Sequence, residues 1–93
     1  MWEIYEHKKV QKQLKQLPAD VLKHYEKFKD IIYLSGPQGL KLIRGFGDEA
    51  LKGEWQGCRA ARLNIQYRVI YKVVNDQVFI QVMNITPHDY RRK

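Results

Sequence analysis

Val10, Leu14 and Leu17 recur at helical spacing among lysines and glutamines, which predicts an amphipathic helix from about His7 to Leu17. Pro18 suits the start of the next helix, where a missing amide proton leaves no bond unmade. From about Ala19 to Leu34, the residues Val21, Leu22, Tyr25, Phe28 and Ile32 fall on one face of a second helix, and Ser35-Gly36-Pro37 stops it. The tight turn between them makes the two helices antiparallel. Ahead of them, the short aromatic-rich segment from Trp2 to Tyr5 suits a strand.

Beyond Gly36 the period shifts toward two, and Gly39, Gly45, Gly47, Gly53 and Gly57 break any helical reading. Strands are expected around Leu51 to Gly53, Cys58 to Leu63, Tyr67 to Val74 and Val78 to Ile85, with Asn75-Asp76 as the hairpin turn between the last two. Those last two are apolar on both faces in places, as in a sheet covered by helices on one side. The expected class is α+β: a short N-terminal strand and two antiparallel helices packed on a small, mainly antiparallel twisted sheet, one domain over residues 1–93. If Leu63 faces Tyr67 across a turn at Asn64-Ile65-Gln66, then Arg62 faces Arg68. Directly opposed residues point to the same side of a sheet. Two arginines side by side repel, so this register calls for an anion above them or for acidic partners nearby.

Length and composition narrow the class. Ninety-three residues allow one small domain, which buries roughly 60% of the surface of its unfolded chain. No apolar run approaches the ~20 residues of a membrane span. The start of the chain, MWEIYEHKKV, has no signal-peptide pattern, so the expectation is a cytoplasmic domain with no membrane partner. A single cysteine, Cys58, excludes an internal disulfide framework and a multi-cysteine zinc site; the scattered histidines offer no ligand-spaced pair, so neither metal nor cofactor is expected.

The net charge of +7 is uneven. Residues 1–34 carry seven lysines against five acids, read mostly as a solvated helical face. Residues 35–93 carry ten basic residues against five acids, including all six arginines: Arg44, Arg59, Arg62, Arg68, Arg91 and Arg92. The planar arginine fork suits phosphate oxygens and stays charged at any working pH. Nucleic acid or an acidic protein is therefore the leading ligand class, with a purely solubilising surface as the plain alternative.

The run Leu51-Lys52-Gly53-Glu54-Trp55-Gln56-Gly57-Cys58-Arg59, followed by Tyr67-Arg68-Val69-Ile70-Tyr71-Lys72-Val73, resembles the RelE/ParE toxin superfamily of bacterial toxin–antitoxin pairs. Helix–helix–sheet order, length and the basic C-terminal tail agree with a RelE-like fold. The resemblance implies a cognate antitoxin partner and one of two functions. RelE- and HigB-like members are endoribonucleases that cut mRNA, usually on the ribosome; ParE-like members inhibit DNA gyrase without catalysis. Metal-independent RNA cleavage needs a base for the 2′-hydroxyl, cations for the charge on the phosphorane, and an acid for the departing 5′-oxygen.

Carried onto this chain, the resemblance implies that Arg68, in the "YR" strand, holds the scissile phosphate. Arg59 falls at a lysine position of RelE and would bind phosphate or stabilise charge. Arg62 resembles an arginine of YoeB-like relatives and reads equally as a solvated strand residue; Lys52 is a candidate phosphate contact or a plain surface lysine. His88 falls where RelE has a catalytic arginine and YoeB-like members a histidine, so it is the expected proton-transfer group. Tyr90 would stack on a base or orient His88, and Arg91 and Arg92 would extend the RNA-binding surface. Glu49 or Asp48 falls near the glutamate that YoeB-like members use as a base. Asp89 reads as a tail acid, His7 and His24 as surface residues, and Cys58 as an inert strand cysteine. The expected function is an mRNA endoribonuclease toxin with catalytic Arg68, His88, Tyr90 and Arg59; the alternative is a gyrase inhibitor of the ParE kind.

Overall fold

A computed structural model describes residues 2–85. The chain runs β1 (Glu3–Glu6), α1 (Lys8–Leu14), α2 (Ala19–Ser35), α3 (Pro37–Lys41), β2 (Glu49–Ala50), β3 (Arg59–Arg62), β4 (Tyr67–Val74) and β5 (Gln77–Ile85), with 3₁₀ turns at Arg44–Phe46 and Gly53–Trp55. The five strands form one sheet in the order β1-β5-β4-β3-β2. All neighbours are antiparallel except β1 and β5, which pair in parallel after the helical crossover. The α+β class holds, and β4 spans the residues expected of it.

Three departures from expectation have local causes. The first helix ends at Leu14 rather than Leu17, because residues 15–17 tighten into i→i−3 bonds ahead of Pro18; the residue before a proline disfavours helical geometry. Its start is fixed by His7, whose Nδ1 accepts from the Lys9 amide at 3.1 Å. A third helix forms where only a stop was expected. Gly36, at φ +75°, closes α2 by donating to Ile32, and Pro37 then opens α3 at its first position. Gly39 does not break α3, because it lets the helix approach α2: a Cβ there would stand 2.9 Å from Ile31 and Ser35 carbons. The second strand falls at Glu49–Ala50, not at Leu51 to Gly53, which instead leads into the 3₁₀ turn beginning at Gly53.

The core lies between the helices and one face of the sheet. Val10, Val21, Tyr25, Phe28, Ile32 and Leu40 pack on Ala61, Leu63, Val69, Tyr71, Val78, Ile80 and Met83. Phe28 is its centre, edge-on to Tyr71 with centroids 5.4 Å apart and 6.0 Å from Tyr25. Leu22, expected on this face, is only half-buried. Where β1 ends, the Gln13 side chain extends the pairing of β5: its amide donates to the Met83 carbonyl at 3.1 Å and accepts from the Met83 amide at 2.9 Å. Among the described residues, no helix is long and apolar enough to cross a membrane.

Candidate functional site

The register expected from the sequence is present. The Leu63 amide donates to the Tyr67 carbonyl at 2.8 Å, and Arg62 stands directly opposite Arg68. Asn64 closes the turn, its side-chain oxygen accepting from the amides of Gln66 and Tyr67 at 2.8 Å each. An acidic partner meets the opposed cations. Glu49, paired with Ala60 across β3, accepts from Arg68 Nη2 at 2.8 Å. Its carboxylate is 57% exposed while the Arg68 side chain is 17% exposed, so the pair sits at a surface with the arginine as its inner member.

Asp48 goes the other way. Its side chain is 1% exposed and accepts from Arg59 Nε at 3.0 Å, from Arg59 Nη2 at 2.8 Å and from the Tyr71 hydroxyl. The Asp48 side chain thus joins Tyr71 of the helix-covered face, while Glu49 meets Arg68 on the other. The Asp48 carboxylate raises the pKa of the Arg59 guanidinium. Burial, and then the hydrogen bond to Asp48, hold the Tyr71 phenol far above its usual range. Arg59 is thus engaged in a scaffold pair.

A cleft of about 650 Å³ opens where α2, the loop around the first 3₁₀ turn and the β3–β4 turn meet. Arg62, Arg68 and Glu49 line it, with Phe46 and Leu63 at the apolar end. The backbone at Gly47 lies against Arg62, whose guanidinium carbon is 3.6 Å from where a Cβ would be. Of the residues expected from the sequence, Arg62 and Arg68 therefore meet in the cleft. Arg59 and Lys52 do not line it; Lys52 is exposed beyond β2. Cys58 is half-buried just before β3. His88, Asp89, Tyr90, Arg91 and Arg92 lie outside the described residues. Sequence reasoning missed His24 and Lys27, which line the cleft from α2. Their signal was the i, i+4, i+7 stripe Asp20, His24, Lys27, adjacent to the apolar stripe and read there as solvated.

The mixed five-stranded sheet with helices on one face is a RelE-like fold. The solved structures that the chain resembles include RelE-, YoeB- and YafQ-type proteins, consistent with the RelE-like toxin superfamily. A chain of the archaeal RelE–RelB complex from Pyrococcus horikoshii superimposes with TM-score 0.73 at 26% identity, covering 94% of this chain and 97% of that one. The YoeB–YefM complex from Staphylococcus aureus gives 0.72 at 19% identity, over 94% and 99%. YafQ from E. coli gives 0.67 at 18%, over 92% and 94%. No protein-family model matches the sequence, and no curated protein matches it.

Proposed function

We propose that this chain is the toxin of a toxin–antitoxin pair and an endoribonuclease that cuts mRNA on the ribosome. The observation that carries the reading is the cross-strand pair Arg62 and Arg68 with Glu49 bonded to Arg68 at the mouth of a cleft. Arg62 and Arg68 bring two guanidinium groups to one concave site beside the exposed Glu49 carboxylate, an arrangement that suits a phosphodiester. The likeness to RelE–RelB and YoeB–YefM complexes supports both the toxin role and an antitoxin partner.

In this reading Arg68 and Arg62 hold the non-bridging oxygens of the scissile phosphate. Glu49 accepts the proton of the 2′-hydroxyl as its oxygen attacks phosphorus. The bond to the 5′-oxygen breaks, leaving a 2′,3′-cyclic phosphate on one fragment, and an acid returns a proton to the 5′-hydroxyl of the other. His88 is the proposed acid and Tyr90 the base-stacking residue. The described part of β5 ends beside this site, pairing Asn84 with Arg68 and Ile85 with Tyr67. His88 follows Ile85 by three residues in the sequence. Arg91 and Arg92 add RNA-backbone contacts, while Arg59 supports the site through Asp48.

Expression from a tight promoter, with mRNA ends mapped by primer extension and gyrase supercoiling assayed in parallel, tests the reading. New ends at discrete sites are expected, and Arg68→Ala or His88→Ala in a folded chain should remove them. Intact mRNA with inhibited supercoiling would overturn the proposal and make the arginine face a docking surface.

A further inference from the structure

One wall of the cleft belongs to α2 and plays no part in the chemistry above. Asp20, His24 and Lys27 share a stripe of that helix at i, i+4 and i+7. The stripe faces the β3–β4 turn, because Asn64 Nδ2 donates to Asp20 Oδ2 at 3.3 Å. One and two turns further along, His24 and Lys27 line the same cleft as Arg62 and Arg68. Among the described residues, the lining thus carries the cations Lys27, Arg62 and Arg68 with the single acid Glu49, and α2 is tied to the β3–β4 turn by Asp20 and Asn64. The lining also includes apolar groups, among them Ile65, which is 61% exposed on the turn. The volume, about 650 Å³, is larger than one phosphate needs and falls in the range of pockets that enclose an organic ligand.

We propose that the α2 wall is a second RNA subsite, which takes the nucleotide flanking the cut. It rests on the RNA-cleaving reading. Lys27 binds the phosphate next to the scissile one, His24 hydrogen-bonds the flanking nucleotide, and Ile65 covers one face of its base. A single strand crossing the cleft then presents successive phosphates to the two walls. Lys27 fixes where the strand lies, as a positioning residue, and takes no part in proton transfer.

The test compares Lys27→Ala and His24→Ala with Lys23→Ala, which removes an exposed lysine of the same helix outside the cleft. Cleavage of ribosome-bound mRNA is followed at limiting toxin over a series of KCl concentrations. For Lys27→Ala the expectation is a roughly 3- to 10-fold loss in rate over half-saturating concentration. The slope of log efficiency against log salt should fall by about 0.7, the share of one phosphate contact on a single strand. His24→Ala should redistribute cutting among sites without abolishing it, and Lys23→Ala should stay within about twofold of the unaltered chain.

Equal effects of Lys27→Ala and Lys23→Ala would overturn the subsite and leave a diffuse charge effect. Loss of antitoxin affinity with unchanged cleavage would overturn it too, making this wall a contact for an acidic peptide. Absence of cleavage by the unaltered chain would remove the RNA-cleaving reading and the subsite together. Cleavage by the unaltered chain with insensitive α2 variants would remove the subsite alone.

Discussion

Replacing Asp48 by alanine takes away the acceptor that Arg59 and Tyr71 share beneath the sheet. Removing one member of a buried ion pair costs about 3–5 kcal/mol, because the other charge stays desolvated. Arg59 keeps 28% of its side chain in contact with water, which lowers the expectation to about 2–4 kcal/mol. The Tyr71 hydroxyl also loses its partner in the core. A domain of this length has a total stability of roughly 5–14 kcal/mol, so the variant should fold but lose a large fraction of its margin. Urea unfolding followed by circular dichroism reads this directly. At a slope of about 1–1.5 kcal/mol per molar, the midpoint should fall by about 1.3–4 M with the slope unchanged. Asp48→Asn keeps a neutral acceptor and should fall in between. Arg59→Ala made in the Asp48→Ala background should cost far less than Arg59→Ala alone, since the two residues act as one unit. A midpoint shift under about 0.5 M for Asp48→Ala would refute the reasoning and return Arg59 to the list of cations available for phosphate.

Other perturbations probe separate features. Arg68→Ala should leave the urea midpoint nearly unchanged while lowering cleavage by about 10²–10³, the loss of one key charge-stabilising donor; unaltered cleavage would remove Arg68 from the site. The phenols of Tyr25 and Tyr71 are both raised above their ordinary value of 10.0, first by burial and then by Glu6 and Asp48 respectively. The folded chain therefore keeps those protons when the unfolded chain releases them. Their stabilisation is complete below pH 10 and declines above it, by up to about 1.4 kcal/mol per pH unit for each phenol; unfolding at pH 9 to 11 checks this, and Tyr71→Phe should reduce the slope. Gln13→Ala strips both partners from the Met83 backbone and should cost about 1–3 kcal/mol, with faster hydrogen exchange at the Met83 amide. Gly36→Ala places a Cβ 2.5 Å from the Trp2 ring at a φ of +75°. It should destabilise by more than about 1 kcal/mol, and a red shift of Trp2 fluorescence in a Trp55→Phe background would report the displaced ring.

The periods of the chain were enough for its elements. Val21, Tyr25, Phe28 and Ile32 marked the buried face of α2, and alternation with a short turn placed Arg62 across from Arg68. Both follow from local geometry, helical spacing in one case and the two-residue repeat of a strand in the other. Local signals also located Gly36 as a helix end, but not the helix that restarts at Pro37, because α3 depends on burying Leu40 and on the close approach that Gly39 allows.

Tertiary structure decided what the side chains do. Asp48 and Glu49 are adjacent acids in sequence, indistinguishable by composition. Only the pairing of β2 with β3 sends one into the core to hold Arg59 and the other out to meet Arg68. In the same way, Arg59 and Arg62 share one short strand, yet one is engaged by a buried carboxylate and the other lines the cleft. His24 and Lys27 reach the cleft because α2 folds back over the β3–β4 turn. The physical reason is that local periodicity fixes which way a residue points, whereas the group it meets depends on contacts between segments far apart in the chain.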